Sequence, residues 1–382
     1  MPQEPFGDIP LFREIQRLLA TGGGPINYEI ARQVALAIAT EGTTEATPEP
    51  QETRELMDAV HRSETIVSGY TRLPLEEPLQ AQVVSRTWWT RETLDAWRWL
   101  LEHLAMRFSG EMGRMGPEGE EGETNPMQAV MGQIAPLLMG IQIGSLVGHL
   151  AREQFGRYDL PIPRDDDGKL FVVAPNAAKV AGDYALPPGD VVRWIALQEV
   201  ARGLITKNVT WVNPYLRSAL HELVDSIELD TAALERRLME LQGQTLESLQ
   251  EGLGLEGGLP IVPSERHTRA LRRMQAMVAL FEGYANEACR QVGSEVIQEQ
   301  DRVDEAMARR AASPSEGESM LASLLGLSFD RALEQSGQTF CAAVVSLRGL
   351  PALNRVWEAP DNLPTFDEIK DPFAWMERVL AE

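Results

Sequence analysis

Histidine is scarce in this chain. Of 382 residues only His61, His103, His149, His221 and His267 are histidine, and none has a second His or Cys at ligand spacing. Local spacing therefore encodes no histidine- or cysteine-built metal centre. Cysteine is scarcer: Cys289 and Cys341 are the only two, too few for a disulfide framework. Cys289 lies on the helix after Glu282 and Cys341 in the apolar run Phe340-Cys341-Ala342-Ala343-Val344-Val345; neither has a neighbouring His, and both read as small core residues, not as nucleophiles. The start Met1-Pro2-Gln3-Glu4 leads into no secretory apolar region, so a reducing cytoplasm is the expected compartment. Positive charge is also short, with Lys+Arg 35 against Asp+Glu 57 and a net charge of −22. That balance argues against nucleic acid or an anionic membrane as the main partner, and leaves a peptide or protein as the expected one.

Several site types are missing outright. There is no G-x-G-x-x-G after a strand, no Walker A loop, no G-x-S-x-G elbow and no C-x-x-C pair, which removes the common dinucleotide, phosphate, serine-hydrolase and dithiol readings. Asp165-Asp166-Asp167-Gly168 opens like a calcium loop, but Asn176 stands where its twelfth residue, a bidentate Glu, is required; a turn is the better reading. Pro126 to Ala151 holds no charged side chain over a length that could cross a bilayer. Gln128, Gln133, Gln142 and His149 within it, and Gly140, Gly144 and Gly148 at a spacing of four, suit a closely packed helix in a soluble core.

What is present is mostly helical. Pro10 to Leu19, Tyr28 to Thr40, Pro50 to Ser63 and Arg91 to Phe108 carry helical spacing or start signals and suggest an N-terminal helical lobe over residues 1–110. Residues 111–125 include the acidic, glycine-rich run Gly116-Pro117-Glu118-Gly119-Glu120-Glu121-Gly122-Glu123, a connector by composition. Residues 127–382 form the remaining region, expected to pack with the first as one unit. In it, Lys169 to Pro175 is the clearest strand, a helix is expected from about Tyr215 to Leu241, and Gln242 to Pro263 and Ala312 to Ser319 read as loops.

The most informative segment follows Pro187-Pro188-Gly189, which breaks the chain. Asp190 is a candidate N-cap, and Val191, Trp194, Ile195, Leu197, Val200, Ala201 and Leu204 make a helix apolar nearly all round. Such a helix is buried. Gln198 and Arg202 stack one turn apart on it with Glu199 to one side, so three polar side chains enter the interior together and need partners. The spacing is that of H-E-x-x-H with neither histidine. Gln is a weak neutral donor and an always-protonated guanidinium has no lone pair to give, so tight zinc binding is not expected. Downstream, Glu282 is the lone charge in Met277-Val278-Ala279-Leu280-Phe281-Glu282-Gly283-Tyr284-Ala285-Asn286 and also needs a cation or donors. His221-Glu222-Leu223-Val224-Asp225 mimics a zinc helix but reads as a polar stripe on an acidic, solvated face.

Gly24-Pro25-Ile26-Asn27-Tyr28, Val84-Ser85-Arg86-Thr87-Trp88-Trp89, Gly156-Arg157-Tyr158-Asp159-Leu160-Pro161, the helix from Trp194 to Arg202, Trp211-Val212-Asn213-Pro214, Glu282-Gly283-Tyr284-Ala285-Asn286 and Asp371-Pro372-Phe373-Ala374-Trp375 occur in that order. In order and spacing the chain resembles the zincin-like metallopeptidase family, described as hydrolases and largely uncharacterised. The resemblance implies a mainly α (α+β) fold, a helical bundle core with a small β-sheet or hairpin beside the metal-type helix. It implies zinc in relatives, His at the positions of Gln198 and Arg202, a third ligand at Glu282, an Asp where Asn286 stands, and a catalytic role for Glu199.

Three functions are therefore expected alternatives. One is a pseudoenzyme without zinc or other cofactor that keeps a peptide- or partner-binding cleft, with Arg202 in the metal's place between Glu282 and Glu199. Another is a hydrolase using Glu199 as general base. The last is a structural or assembly protein. An open cleft with Glu199 accessible supports the first two and a closed one the last.

Overall fold

A computed structural model describes residues 24–74, 77–113, 126–230, 233, 261–262, 264–313, 315–326 and 331–380. The expected helix at Pro10 to Leu19, most of the expected connector at 111–125 and most of the expected loop at 242–263 lie outside these residues; the first three connector positions, 111–113, belong to the helix that ends at Gly113. The elements run α1 (Tyr28–Thr40), α2 (Pro50–Thr71), β1 (Ala81–Val84), α3 (Arg86–Ala96), α4 (Arg98–Gly113), α5 (Pro126–Ala151), β2 (Leu170–Val173), α6 (Ala174–Asp183) and α7 (Pro188–Asn208). They continue with α8 (Val212–Asp225), α9 (Glu265–Val292), α10 (Gln300–Arg310), α11 (Glu316–Leu325), α12 (Arg331–Arg348), α13 (Phe366–Lys370) and α14 (Pro372–Leu380).

Helix α1 starts where Asn27 accepts the Ile30 amide on its side chain, 3.1 Å away, which satisfies one of the free first-turn donors. Its small buried face, Ala31, Ala35 and Ala39, meets α5 at close range. A Cβ on Gly140, Gly144 or Gly148 would fall 2.5, 2.6 or 2.9 Å from the carbonyl oxygens of Asn27, Ala31 and Ala35. The spacing of four glycines is thus a flat stripe on which another backbone rests. Among the described residues no helix is long and apolar enough to cross a membrane.

Strands β1 and β2 pair in parallel, Ala81 opposite Leu170 through Val84 opposite Val173, so the small sheet is not a hairpin. A parallel pair needs a long crossover, and helices α3 to α5 supply it. Strand β2 is buried throughout and packs on α7. Helix α7 is central: it touches α2, α6, α8, α9 and α10 as well, and every residue from Ile195 to Ile205 is buried. Helix α9 runs beside it and packs on α12, where a Cβ on Gly337 would overlap the carbonyl of Ala279.

Some expected boundaries shift. The stretch Arg91 to Phe108 is two helices, parted at Trp97. Helix α2 continues past Ser63 to Thr71. Helix α8 ends at Asp225 instead of continuing to Leu241, and Leu229 forms an antiparallel bridge to Ile261. The expected loop at Ala312 to Ser319 gives way to α11 at Glu316, because Ser315 and Glu318 form a capping box. The cap of α7 is Pro187; Asp190 lies inside the first turn, fully buried, and its carboxylate accepts the amides of Gln298 and Glu299.

Candidate functional site

Glu199 faces the segment that enters β2 from α5. Its Oε2 accepts the Arg157 amide at 2.8 Å and its Oε1 the Tyr158 amide at 2.9 Å. Gly156 is required here because a Cβ would overlap the Glu199 carboxylate. Asp159 closes the turn by accepting the amides of Phe155 and Gly156 on Oδ2. The turn is pinned from outside: Arg157 and Arg164 both pair with Asp166. Asp166 also accepts the amide of Gly168, whose φ of +74° suits glycine. The Asp165 to Gly168 run is thus a turn that anchors the loop. Burial, then the charge of Asp159, pushes the Glu199 carboxyl up to about 8 against the pull of the loop amides and Arg202. Only 2% of Glu199 is exposed.

One turn along α7, Arg202 reaches the opposite way. Its Nη2 donates to Glu282 Oε2 at 2.5 Å and its Nε to the same carboxylate at 3.2 and 3.3 Å. Both residues are 7% exposed. Burial disfavours the guanidinium's charge, but the Glu282 carboxylate more than offsets this and holds its pKa above the ordinary value. Burial raises Glu282, and Arg202 opposes that rise. Asp159 acts on all three groups. One guanidinium is therefore surrounded by three acids.

Trp194, Gln198 and Arg202, at successive spacings of four on α7, form one wall of a cleft of about 980 Å³, with Asp159, Glu282 and Asn286 beside them. The far side comes from α10, α11 and α12. Gln198 is 5% exposed and its Oε1 has no hydrogen-bond partner. Glu199 is not among the side chains that line the cleft. The structure thus brings Gln198, Arg202, Glu282 and Asn286 to one cavity and turns Glu199 into the wall behind it.

Zinc does not fit this donor set. The position between the two helices is taken by a guanidinium bonded to the Glu282 carboxylate, and a cation cannot ligate a dication. Among the described residues no group of three or more His, Cys, Asp or Glu is arranged to hold a metal. His221 lies elsewhere, its ring 4.6 Å from that of His103, which pairs with Asp225 at 3.0 Å. Cys289 lines the cleft, and burial pushes its thiol up to about 12; Cys341 is buried and also raised.

Asp159 and the Arg157 and Tyr158 amides were not singled out by the residue pattern. Gly156 and Asp159 carry a turn signal, but main-chain donors leave no mark in residue type. The same holds for Asp304, which accepts Trp194 Nε1 at 2.8 Å across the cleft.

A mainly helical scaffold with a small sheet packed on a buried helix carrying paired polar residues one turn apart defines a protein of the zincin-like class. The profile of the zincin-like metallopeptidase family matches residues 26–376. The chain belongs to that family. A crystal structure from Chloroflexus aurantiacus, described as "a putative hydrolase with a novel fold", is similar at 25% identity. The similarity covers 94% of this chain and 99% of that one, with a TM-score of 0.65. No curated protein matches.

Proposed function

We propose that this member of a hydrolase family works without zinc, as a binding protein whose cleft accepts a peptide or a segment of a partner protein. The observation that carries this reading is the Arg202 to Glu282 pair, a guanidinium where the family resemblance places a metal ligand, bonded to the acid where it places another. The open cleft beside the pair supports binding over a purely structural role, although Glu199, expected to be accessible in such a cleft, is buried behind its wall. The route with Glu199 as general base has less support. A base must reach the proton it takes, and both Glu199 oxygens are occupied by loop amides at the back of the wall. Without a metal, moreover, nothing lowers the pKa of an attacking water. The two free, buried cysteines accord with a reducing compartment, which is part of the proposal.

Elemental analysis of the purified chain, set beside the double variant Gln198→His, Arg202→His, tests the reading. The natural chain is expected to carry no stoichiometric zinc, and the double variant to gain it. One zinc per natural chain would sink the proposal.

A further inference from the structure

Two polar side chains of α7 reach the cleft with hydrogen bonds still to make. Gln198 is 5% exposed and Arg202 7%, and both line the cavity one turn apart. In Arg202, Nε and Nη2 are bonded to Glu282, while Nη1 has no hydrogen-bond partner among the described residues. In Gln198 the carbonyl oxygen is sealed from solvent; Nε2 also lacks a partner among the described residues, but it is not sealed, and neither is Arg202 Nη1. These two nitrogens therefore open on the cleft that their residues line. An N–H in a nearly closed wall is costly unless an acceptor meets it. Side chains four apart on a helix are neighbours, so one oxygen with two lone pairs can serve both donors.

Electrostatics decide which acceptor fits. The charge of Arg202 is already answered by the Glu282 carboxylate, and Asp159 and Glu199 act on it as well. A guest carboxylate would bring a further negative charge against those acids, whereas a neutral carbonyl oxygen needs only the donors. On α9, one turn after Glu282, Asn286 also lines the cavity, and its side-chain amide offers a donor and an acceptor to a neighbouring peptide group.

Resting on the binding reading above, we propose that the cleft holds its peptide by a main-chain carbonyl, whose oxygen accepts from Arg202 Nη1 and Gln198 Nε2. That carbonyl belongs to an internal residue of the guest and not to its free C-terminus, because a terminal carboxylate would face Glu282 and Asp159. One guanidinium thus works on two sides: Nε and Nη2 secure the contact between α7 and α9, and Nη1 reads the guest.

The test starts from a phage-displayed library of random dodecapeptides, selected on the immobilised full chain. The tightest sequence is made with acetyl and methylamide ends, then remade with each carbonyl in turn changed to a thiocarbonyl, a weaker acceptor. Calorimetric titration is expected to show one site per chain and one carbonyl position whose thio form binds roughly tenfold more weakly. Gln198→Leu is expected to weaken the unmodified peptide by roughly fivefold and to shrink the loss at that same position, which ties the oxygen to Gln198. Glu55→Gln, exposed on α2 outside the cleft, changes neither. Gln198→Leu also removes a sealed, unbonded amide oxygen, so a melting temperature at or above that of the natural chain shows that lost binding is not lost folding. Ending the peptide at the sensitive residue with a free carboxylate should weaken it roughly tenfold against the methylamide of the same length. A peptide with no thio-sensitive position, a thio loss undiminished by Gln198→Leu, or a carboxylate form bound as tightly as the methylamide overturns this inference and leaves the binding reading in place. Failure to select any peptide overturns both.

Discussion

Arg202 and Glu282 stand 80 positions apart in the chain and meet at 2.5 Å between two buried helices. A buried ion pair adds little net stability compared with apolar packing, because both charges must leave water. Breaking one partner is a different matter, since it strands the other charge in the interior.

Replacing one partner alone is therefore expected to cost about 3–5 kcal/mol, the range for an orphaned buried charge. Arg202→Met leaves the Glu282 carboxylate facing Asp159 with no cation, and Glu282→Leu leaves the guanidinium unpaired. The double variant Arg202→Met, Glu282→Leu should cost clearly less than the sum of the two. Urea unfolding of the four proteins measures the coupling. Additive single costs would show that the pair is not the unit described here.

Glu199 sets a pH dependence whose sign can be worked out. Its carboxyl rises from the ordinary 4.5 to about 8 on folding, so between those values the folded chain holds a proton that the unfolded chain releases. Stability then falls as pH rises through the window, by at most about 1.4 kcal/mol per pH unit for one group. Glu282 is raised as well and adds in the same direction. Glu199→Gln should flatten the fall between roughly pH 5 and 8 relative to the natural chain. Denaturant midpoints at each pH supply the comparison, and an unchanged slope would contradict it.

Gly156 and Glu199 cannot both stay in place once Gly156 carries a side chain, because the new Cβ would overlap the carboxylate. Gly156→Ala is expected to cost about 1–3 kcal/mol, the range for an overpacked interior. It should also free the Arg157 and Tyr158 amides from Glu199, which amide hydrogen exchange reports at those two positions. Gly69→Ala, where nothing lies near the new Cβ, is the control. It replaces a glycine in the last turn of α2 by a better helix former and should not destabilise.

How far the sequence went depended on the range of the interaction. Tyr28 to Thr40 and Pro126 to Ala151 match the helices in full, because Asn27 caps one and the composition of the other changes sharply at its ends. The strand at Lys169 to Pro175 was legible from Phe171, Val172 and Val173, while its partner Ala81 to Val84 was not. Four residues carry no periodicity, and the pairing joins positions 81 and 170 across three helices. Gln198, Arg202 and Glu282 were identified because polar groups in apolar helices demand partners. Which acid Arg202 would choose was open, and geometry decides for Glu282. Glu199's partners are main-chain amides brought by a distant turn, and no side-chain pattern announces them. Helix α11 was hidden by the Ser and Gly content of Ala312 to Ser319, in which Ser315 and Glu318 in fact cap a helix.

Asn176 offers a final check on how the Glu199 turn is held. It is almost wholly buried, and its Nδ2 donates to the carbonyls of Ala151 at 2.9 Å and Gln154 at 2.6 Å, while its Oδ1 accepts Arg86 Nε at 2.7 Å. One side chain thus ties the end of α5 and the start of the turn to α6 and α3. Asn176→Leu keeps the volume and removes all three bonds, leaving two buried carbonyls and a guanidinium nitrogen without it. The expected cost is about 2–4 kcal/mol, at roughly 1 kcal/mol or more for each buried group left unbonded. Because the anchor lies just before Gly156, exchange at the Arg157 and Tyr158 amides should quicken more than exchange in α9, which Asn176 does not touch. Uniform quickening across both would mean that Asn176 supports the whole fold and has no particular hold on the turn behind the cleft.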